Sequence, residues 1–172
     1  MEFDLNKSLQ ILERIPDVLS SLLNGLSGEW IFRNEGGETW SAFEVVKHLT
    51  YAEQANWMVK VNLTLSENKE KNFPVFDRFG FKESKTENME EALDEFREAR
   101  NQSLKELKSK KLTFQQLELA GIHPVFGKVK LSELLSTWTI HDLTHLTQIS
   151  RVMAKQYKEA VGPWVEYLSI LK

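Results

Sequence analysis

The sequence predicts an all-α protein: a four-helix bundle with a long crossover between helices 2 and 3. Three observations carry this expectation. Among 172 residues there are only eight glycines and four prolines, roughly 7% of the chain against a usual ~12%. These helix breakers fall in groups, near Gly25 to Gly37, at Pro74 and Gly80, from Gly121 to Gly127, and at Gly162-Pro163. The stretches between them carry apolar residues at helical spacing, and each is long enough for about six turns.

The first helix is expected from about Phe3 to Asn24, on a stripe of Leu5, Leu9, Leu12, Ile15, Leu19, Leu22 and Leu23. Pro16 lies inside it and should kink it or divide it. The second opens at Thr39 or Ser41, where Ser41-Ala42-Phe43-Glu44 has the form of a capping box. It continues through Val45, His48, Leu49, Ala52 and Val59 to about Ser66. The third spans about Thr86 to Lys111, with Asn88 and Glu91 at capping spacing and Met89, Leu93, Phe96, Leu104 and Leu107 as its stripe. The fourth starts near Ser132 and runs past Tyr157, carrying Leu134, Leu135, Trp138, His141, His145, Ile149 and Val152. Trp164 to Leu171 is expected as a fifth, minor helix. The segment from roughly Glu67 to Lys85 is too long for a simple antiparallel hairpin, so it can cross the bundle and leave helices two and three parallel. No linker or repeat interrupts the chain, which reads as a single domain over residues 1–172.

Composition bounds the chemistry. With 22 basic and 25 acidic side chains, the net charge of −3 argues against a protein built for phosphate backbones. The cluster Lys105, Lys108, Lys110 and Lys111 is interrupted by Glu106 and ends a helix, where cations complement the dipole. No nucleic acid partner is expected. No apolar stretch approaches the ~18 residues of a membrane span, so no membrane partner is expected either. Met1-Glu2-Phe3-Asp4 lacks the features of a secretory signal, and a cytoplasmic location is the expectation. Cysteine is absent and histidine occurs four times. Disulfides, cysteine-ligated metals and a cysteine nucleophile are therefore excluded, leaving His, Asp and Glu for any metal or acid–base work.

Three of the histidines are in phase with apolar stripes. His141-Asp142-Leu143-Thr144-His145 puts two imidazoles one helical turn apart on one face, within reach of a single ion. His48 shares the stripe of Val45, Leu49 and Ala52 on helix two. Such histidines are either core residues that each need a polar partner or a three-nitrogen metal site with open positions. Asp142 points about 100° away from its neighbour around the helix, toward another hydrogen-bonding partner or solvent. Glu44, one turn before His48, is a candidate to hold that ring, although the capping box already accounts for it. Gln148 lies on the side of His141 and His145, where it could hold a water or a substrate oxygen, or simply form a polar edge of the stripe. His123 precedes Pro124 in a glycine-flanked loop. Phe73, Phe76, Phe79 and Phe81 fall in the crossover, where they can pack over the bundle, cover a pocket or meet a partner.

Taken together, several of these pieces resemble the DinB-like (YfiT-type) superfamily. They are Trp40-Ser41 leading through Glu44 to His48-Leu49; His123-Pro124-Val125-Phe126-Gly127 with Leu131-Ser132-Glu133-Leu134-Leu135; and Trp138 followed by His141-Asp142-Leu143-Thr144-His145 and Gln148. The likeness spans about Trp40 to Arg151. It implies a four-helix bundle with helices two and three parallel, usually a homodimer. It also implies one divalent ion, zinc or nickel, held by His48, His141 and His145. Relatives in that superfamily include S-transferases using bacillithiol or mycothiol, a mycothiol-dependent isomerase and members labelled hydrolases. The expected function is thus transfer of a bacillithiol-type thiol cosubstrate to a small-molecule electrophile, with a hydrolase or a non-enzymatic metal-binding bundle as alternatives. A thiol cosubstrate would supply the sulfur that the chain itself lacks. A protease reading of His141 to His145 is weaker, because Asp142 is a methylene shorter than the glutamate such a motif uses.

Overall fold

The computed structural model describes residues 2–172. Helices α1 (Leu5–Leu12) and α2 (Ile15–Leu23) form the first arm of the bundle. Asp4 caps α1 by accepting a hydrogen bond from the Lys7 amide. Pro16 sits in the first turn of α2, where its missing N–H leaves no helical hydrogen bond unmade. The proline therefore divides the arm rather than bending it. A short helix, α3 (Gly28–Phe32), forms within the group of helix breakers between the first two arms. It buries Ile31 and rests Phe32 edge-on against Phe43.

The second arm is α4 (Ala42–Ala52), a π-helical turn (Glu53–Trp57) and α5 (Met58–Leu65). The capping box forms: the Glu44 amide donates to Ser41 Oγ, and Glu44 Oε2 accepts from the Ser41 amide. The π turn widens the helix locally, and Glu53, Asn56 and Trp57 are all buried there. The third arm is α6 (Met89–Ser109), capped by the Asn88 side chain, which accepts from the Glu91 amide. The fourth is α8 (Leu131–Lys155). It ends earlier than the stripe suggested, and the tail beyond it forms 3-10 turns at Gly162–Tyr167 and Ser169–Leu171 instead of an α-helix. Gly162 adopts a positive φ of 55° and Pro163 lacks an amide donor, so a regular helix cannot form through that corner.

Between α6 and α8 lies structure that sequence periodicity does not reveal. A four-residue helix, α7 (Phe114–Leu117), precedes an antiparallel hairpin of β1 (Ala120–His123) and β2 (Gly127–Lys130). The crossover docks on this hairpin. The Phe73 amide donates to the Ile122 carbonyl, and the Ile122 amide donates to the Lys71 carbonyl, both at 2.8 Å.

Side-chain pairs define the directions of the arms. Lys47 reaches the Thr86 carbonyl, Glu53 pairs with Arg100, and Asn62 donates to Glu106. Residue numbers rise together along both helices, so α4–α5 and α6 run parallel, as a long crossover permits. His48 lies against His141, and Glu53 against Trp138, so α8 runs the opposite way. Arg97 reaches Asp17 while Arg100 reaches the Leu12 carbonyl, which sets the first arm antiparallel to α6. The core has two apolar ends. One gathers Leu19, Leu23, Val45, Leu49, Phe96 and Ile149; the other gathers Leu12, Trp57, Val61, Leu107, Leu135 and Trp138. The buried Arg100 stands between them, its guanidinium over the rings of Phe96 and Trp138. Among the described residues no helix is long and apolar enough to cross a membrane.

Candidate metal centre

His48 comes from α4; His141 and His145 come from α8. Antiparallel packing of these two helices brings together imidazoles that are far apart in sequence. His141 Nε2 lies 3.4 Å from His48 Nε2 and 3.1 Å from His145 Nε2. One ligand atom from each ring lies within 4.8 Å of the others. Two ligands bound at ~2.0–2.1 Å to a tetrahedral ion would be separated by ~3.3 Å, so the spacing suits such an ion.

The remaining ring nitrogens explain the orientation. His48 Nδ1 is 3.1 Å from the carbonyl oxygen of Arg78, which can only accept. That nitrogen must carry the proton, leaving the Nε2 lone pair aimed at its neighbours. His145 Nδ1 makes the same kind of contact with Gln148 Oε1 at 2.9 Å. Burial first, and the neighbouring imidazoles second, push His48 down to about 3. Burial and then His141 push His145 down to about 4, against the opposing effect of the Gln148 hydrogen bond. Both rings are therefore neutral near pH 7 and turn their Nε2 lone pairs toward His141 Nε2. Such a convergence of acceptors fits a cation.

Glu44 does not hold His48. Its carboxylate is taken up by the Ser41 amide and hydroxyl, and the crossover supplies the partner for His48 instead. His123 lies away from the three-histidine group, at the end of β1. Its Nδ1 accepts from the amides of Val125 and Phe126, and its ring stacks on Phe126, so it closes the hairpin turn. Three of the crossover aromatics wall the site: the rings of Phe76 and Phe81 each lie 5.9 Å from His48, and Phe79 meets Trp40 edge-on. Phe73 instead packs in the core with Trp57 and Trp138. Trp57 also meets His141 edge-on at 5.0 Å.

Several residues around the site were not anticipated. Trp40 lies 4.7 Å from the His48 ring and stacks parallel to His145. A pocket of about 420 Å³ opens beside these three rings and is also lined by Arg78, Gln148 and Arg151. Glu35 at its rim accepts from both Arg151 and Lys155 at 2.8 Å. The Arg78 guanidinium lies over the Phe79 ring and forms no ion pair among the described residues. A larger groove of about 760 Å³ runs along α4 and α6, lined by Lys47, Glu83 and Glu98, and no histidine reaches it.

Asp142 is fully buried and pairs with Arg100 at 2.7 Å. Arg100 Nη2 also donates to Glu53, which accepts a second bond from the Trp138 indole. Burial opposes the charge of Arg100, but Glu53 and Asp142 hold its pKa above the usual range. Burial pushes Glu53 up, against the pull of Arg100. One signal for this network was present: Arg100 falls four residues after Phe96 and four before Leu104, on the apolar stripe.

A family model of the DinB superfamily matches residues 11–149. No curated protein sequence matches the chain significantly. Among solved structures the fold matches YfiT from Bacillus subtilis, described as a probable metal-dependent hydrolase with an unusual four-helix bundle topology. The match has a TM-score of 0.73 at 19% identity and covers 88% of this chain and 87% of that one. At that identity the likeness speaks for the fold, while the family match runs through all three in-phase histidines and most of the chain. The chain belongs to the DinB superfamily.

Proposed function

We propose that this protein is a metal-dependent enzyme that transfers a low-molecular-weight thiol of the bacillithiol type to a small electrophile. The observation that carries the reading is the convergence of three imidazole nitrogens, two with their second nitrogen anchored, beside an open pocket. His48, His141 and His145 would hold one zinc or nickel ion. When bound, that ion supplies positive charge, undiminished by neutral ligands, which favours the ionised form of a thiol or a water in the pocket.

The chain's own residues supply the rest. Arg78 and Gln148 direct the lone pairs of His48 and His145. Trp40 and Phe79 give the pocket an apolar wall that limits water and suits the carbon skeleton of an electrophile. Arg78 sets an unpaired positive charge at the rim, which favours a thiol carrying carboxylates over a neutral one. The absence of cysteine means that any sulfur nucleophile comes from outside the chain.

A hydrolase is the second reading, favoured by the likeness to YfiT, a probable metal-dependent hydrolase. The same site would then direct a water, and Gln148 stands where it can hold one.

Metal analysis of the purified protein and of His145→Ala is the first test. Near one equivalent in the wild type and a large loss in the variant are expected; equal content in both would sink the reading. A screen with bacillithiol and model electrophiles, and separately with esters and amides, each with and without chelator, separates transferase from hydrolase. If the thiol binds past Arg78, Arg78→Ala should raise KM for bacillithiol about tenfold while leaving KM for the electrophile near its original value.

A further inference from the structure

The three candidate ligands are not supported equally. His48 has the Arg78 carbonyl and His145 has Gln148, but His141 Nδ1 is buried with no hydrogen-bond partner. Buried ring nitrogens are rarely left so. The nearest charged acceptor is on the adjacent residue: Asp142 Oδ1 lies 3.7 Å away, too far for a hydrogen bond, and is itself buried without a partner. Two complementary groups thus stand side by side, one step short of bonding.

Asp142 is not free to be a general surface acid. Its Oδ2 is 2.7 Å from Arg100 Nη1, and neither side chain is exposed. Arg100 also donates to the Leu12 carbonyl from the first arm and to Glu53 from the second. All four arms of the bundle therefore meet at this guanidinium, which holds the Asp142 carboxylate beneath His141. The π-helical turn contributes Glu53 to this junction and Trp57 to the face of His141.

We propose that Asp142 is the positioning residue for His141: its carboxylate accepts a hydrogen bond from Nδ1–H, fixes the tautomer and directs Nε2 at the shared ion, with Arg100 holding the carboxylate in place. This rests on the metal reading above.

The test compares Asp142→Asn with Glu53→Gln. Each removes one carboxylate charge from Arg100, so each should lower the melting temperature. Only the first touches His141. The replacing amide must turn its oxygen toward Arg100 and present NH2 to a ring nitrogen that already carries a proton. Zinc affinity, measured by competition with a chromophoric chelator, should fall about 10–100-fold in Asp142→Asn and stay within about twofold in Glu53→Gln. The d–d spectrum of the cobalt-substituted protein should shift in the first variant alone. Wild-type affinity in Asp142→Asn, or equal losses in both variants, would overturn the proposal and leave Asp142 as a packing partner of Arg100. If Asp142→Asn does not fold, nitrogen-15 spectra of the zinc-loaded wild type decide: a proton on His141 Nδ1 supports the proposal, and coordination through Nδ1 overturns it. A wild type that takes up no zinc or nickel defeats the metal reading itself, and this inference with it.

Discussion

At the scale of single residues, the histidines show how burial and a single acceptor together leave a lone pair free for an ion. A buried imidazole is costly to charge, and the carbonyl of Arg78 or the amide of Gln148 fixes which nitrogen keeps its proton. This has a consequence for pH that can be measured without substrate. His48 and His145 ionise near 6.5 when unfolded, but only at about 3 and about 4 in the folded protein. Between those values the unfolded chain binds more protons, so acid favours unfolding. The stability that comes from keeping these rings neutral is fully present above about pH 6.5 and is lost as pH falls toward 4. The metal-free protein should therefore lose melting temperature steeply over that window. The double variant His48→Gln/His145→Gln should show a shallower slope in the same calorimetric series. Equal slopes would mean that the rings titrate normally in the fold.

The elements explain why the site sits where it does. The capping box at Ser41 starts α4 at a defined residue and so sets the phase of His48 on the core side. The π turn follows, and Glu53 and Trp57, four residues apart on the inner face, are both buried there. The hairpin has a comparable role toward the crossover. Its two backbone hydrogen bonds to Lys71 and Phe73 pin the start of the segment that later delivers the Arg78 carbonyl to His48. Gly121 permits this approach, because a Cβ there would overlap the buried Phe73 ring. Gly121→Ala should cost about 1–3 kcal/mol by overpacking, read as a lower midpoint in urea unfolding with an unchanged m-value. An unchanged midpoint would show that Phe73 moves aside freely.

On the scale of the whole molecule, two parallel central arms flanked by antiparallel partners leave a polar layer at Arg100 between two apolar ends. A layer of one cation and two carboxylates, all buried, adds little net stability but specifies register, since any slip of one arm would strand a charge. The outer surface carries apolar side chains that a lone copy would expose, among them Ile140 on α8 and Val125 and Phe126 at the hairpin tip. The family resemblance implies a homodimer, and these side chains are where its contact can be tested. Sedimentation velocity at micromolar concentration should give a dimer, and Ile140→Lys with Phe126→Lys should shift it to monomer; a monomeric wild type would refute this.

Much of the site was legible before folding because it lies on helices. Periodicity places His141 and His145 on one face and puts His48 on the stripe of its own helix, and both are local properties of the 3.6-residue repeat. The absence of cysteine likewise decides by composition alone that any thiol is external. What the sequence alone could not reveal are partnerships across distant segments: the Arg78 carbonyl on His48, the meeting of four arms at Arg100, the burial of Asp142 and the docking of the crossover on a hairpin. Backbone carbonyls carry no residue code, and a charged residue on a stripe reads as surface until its countercharges are found. Helix phase is written by neighbours within one turn. The Arg78 carbonyl on His48 and the buried carboxylate beside His141 are set only by how the arms pack.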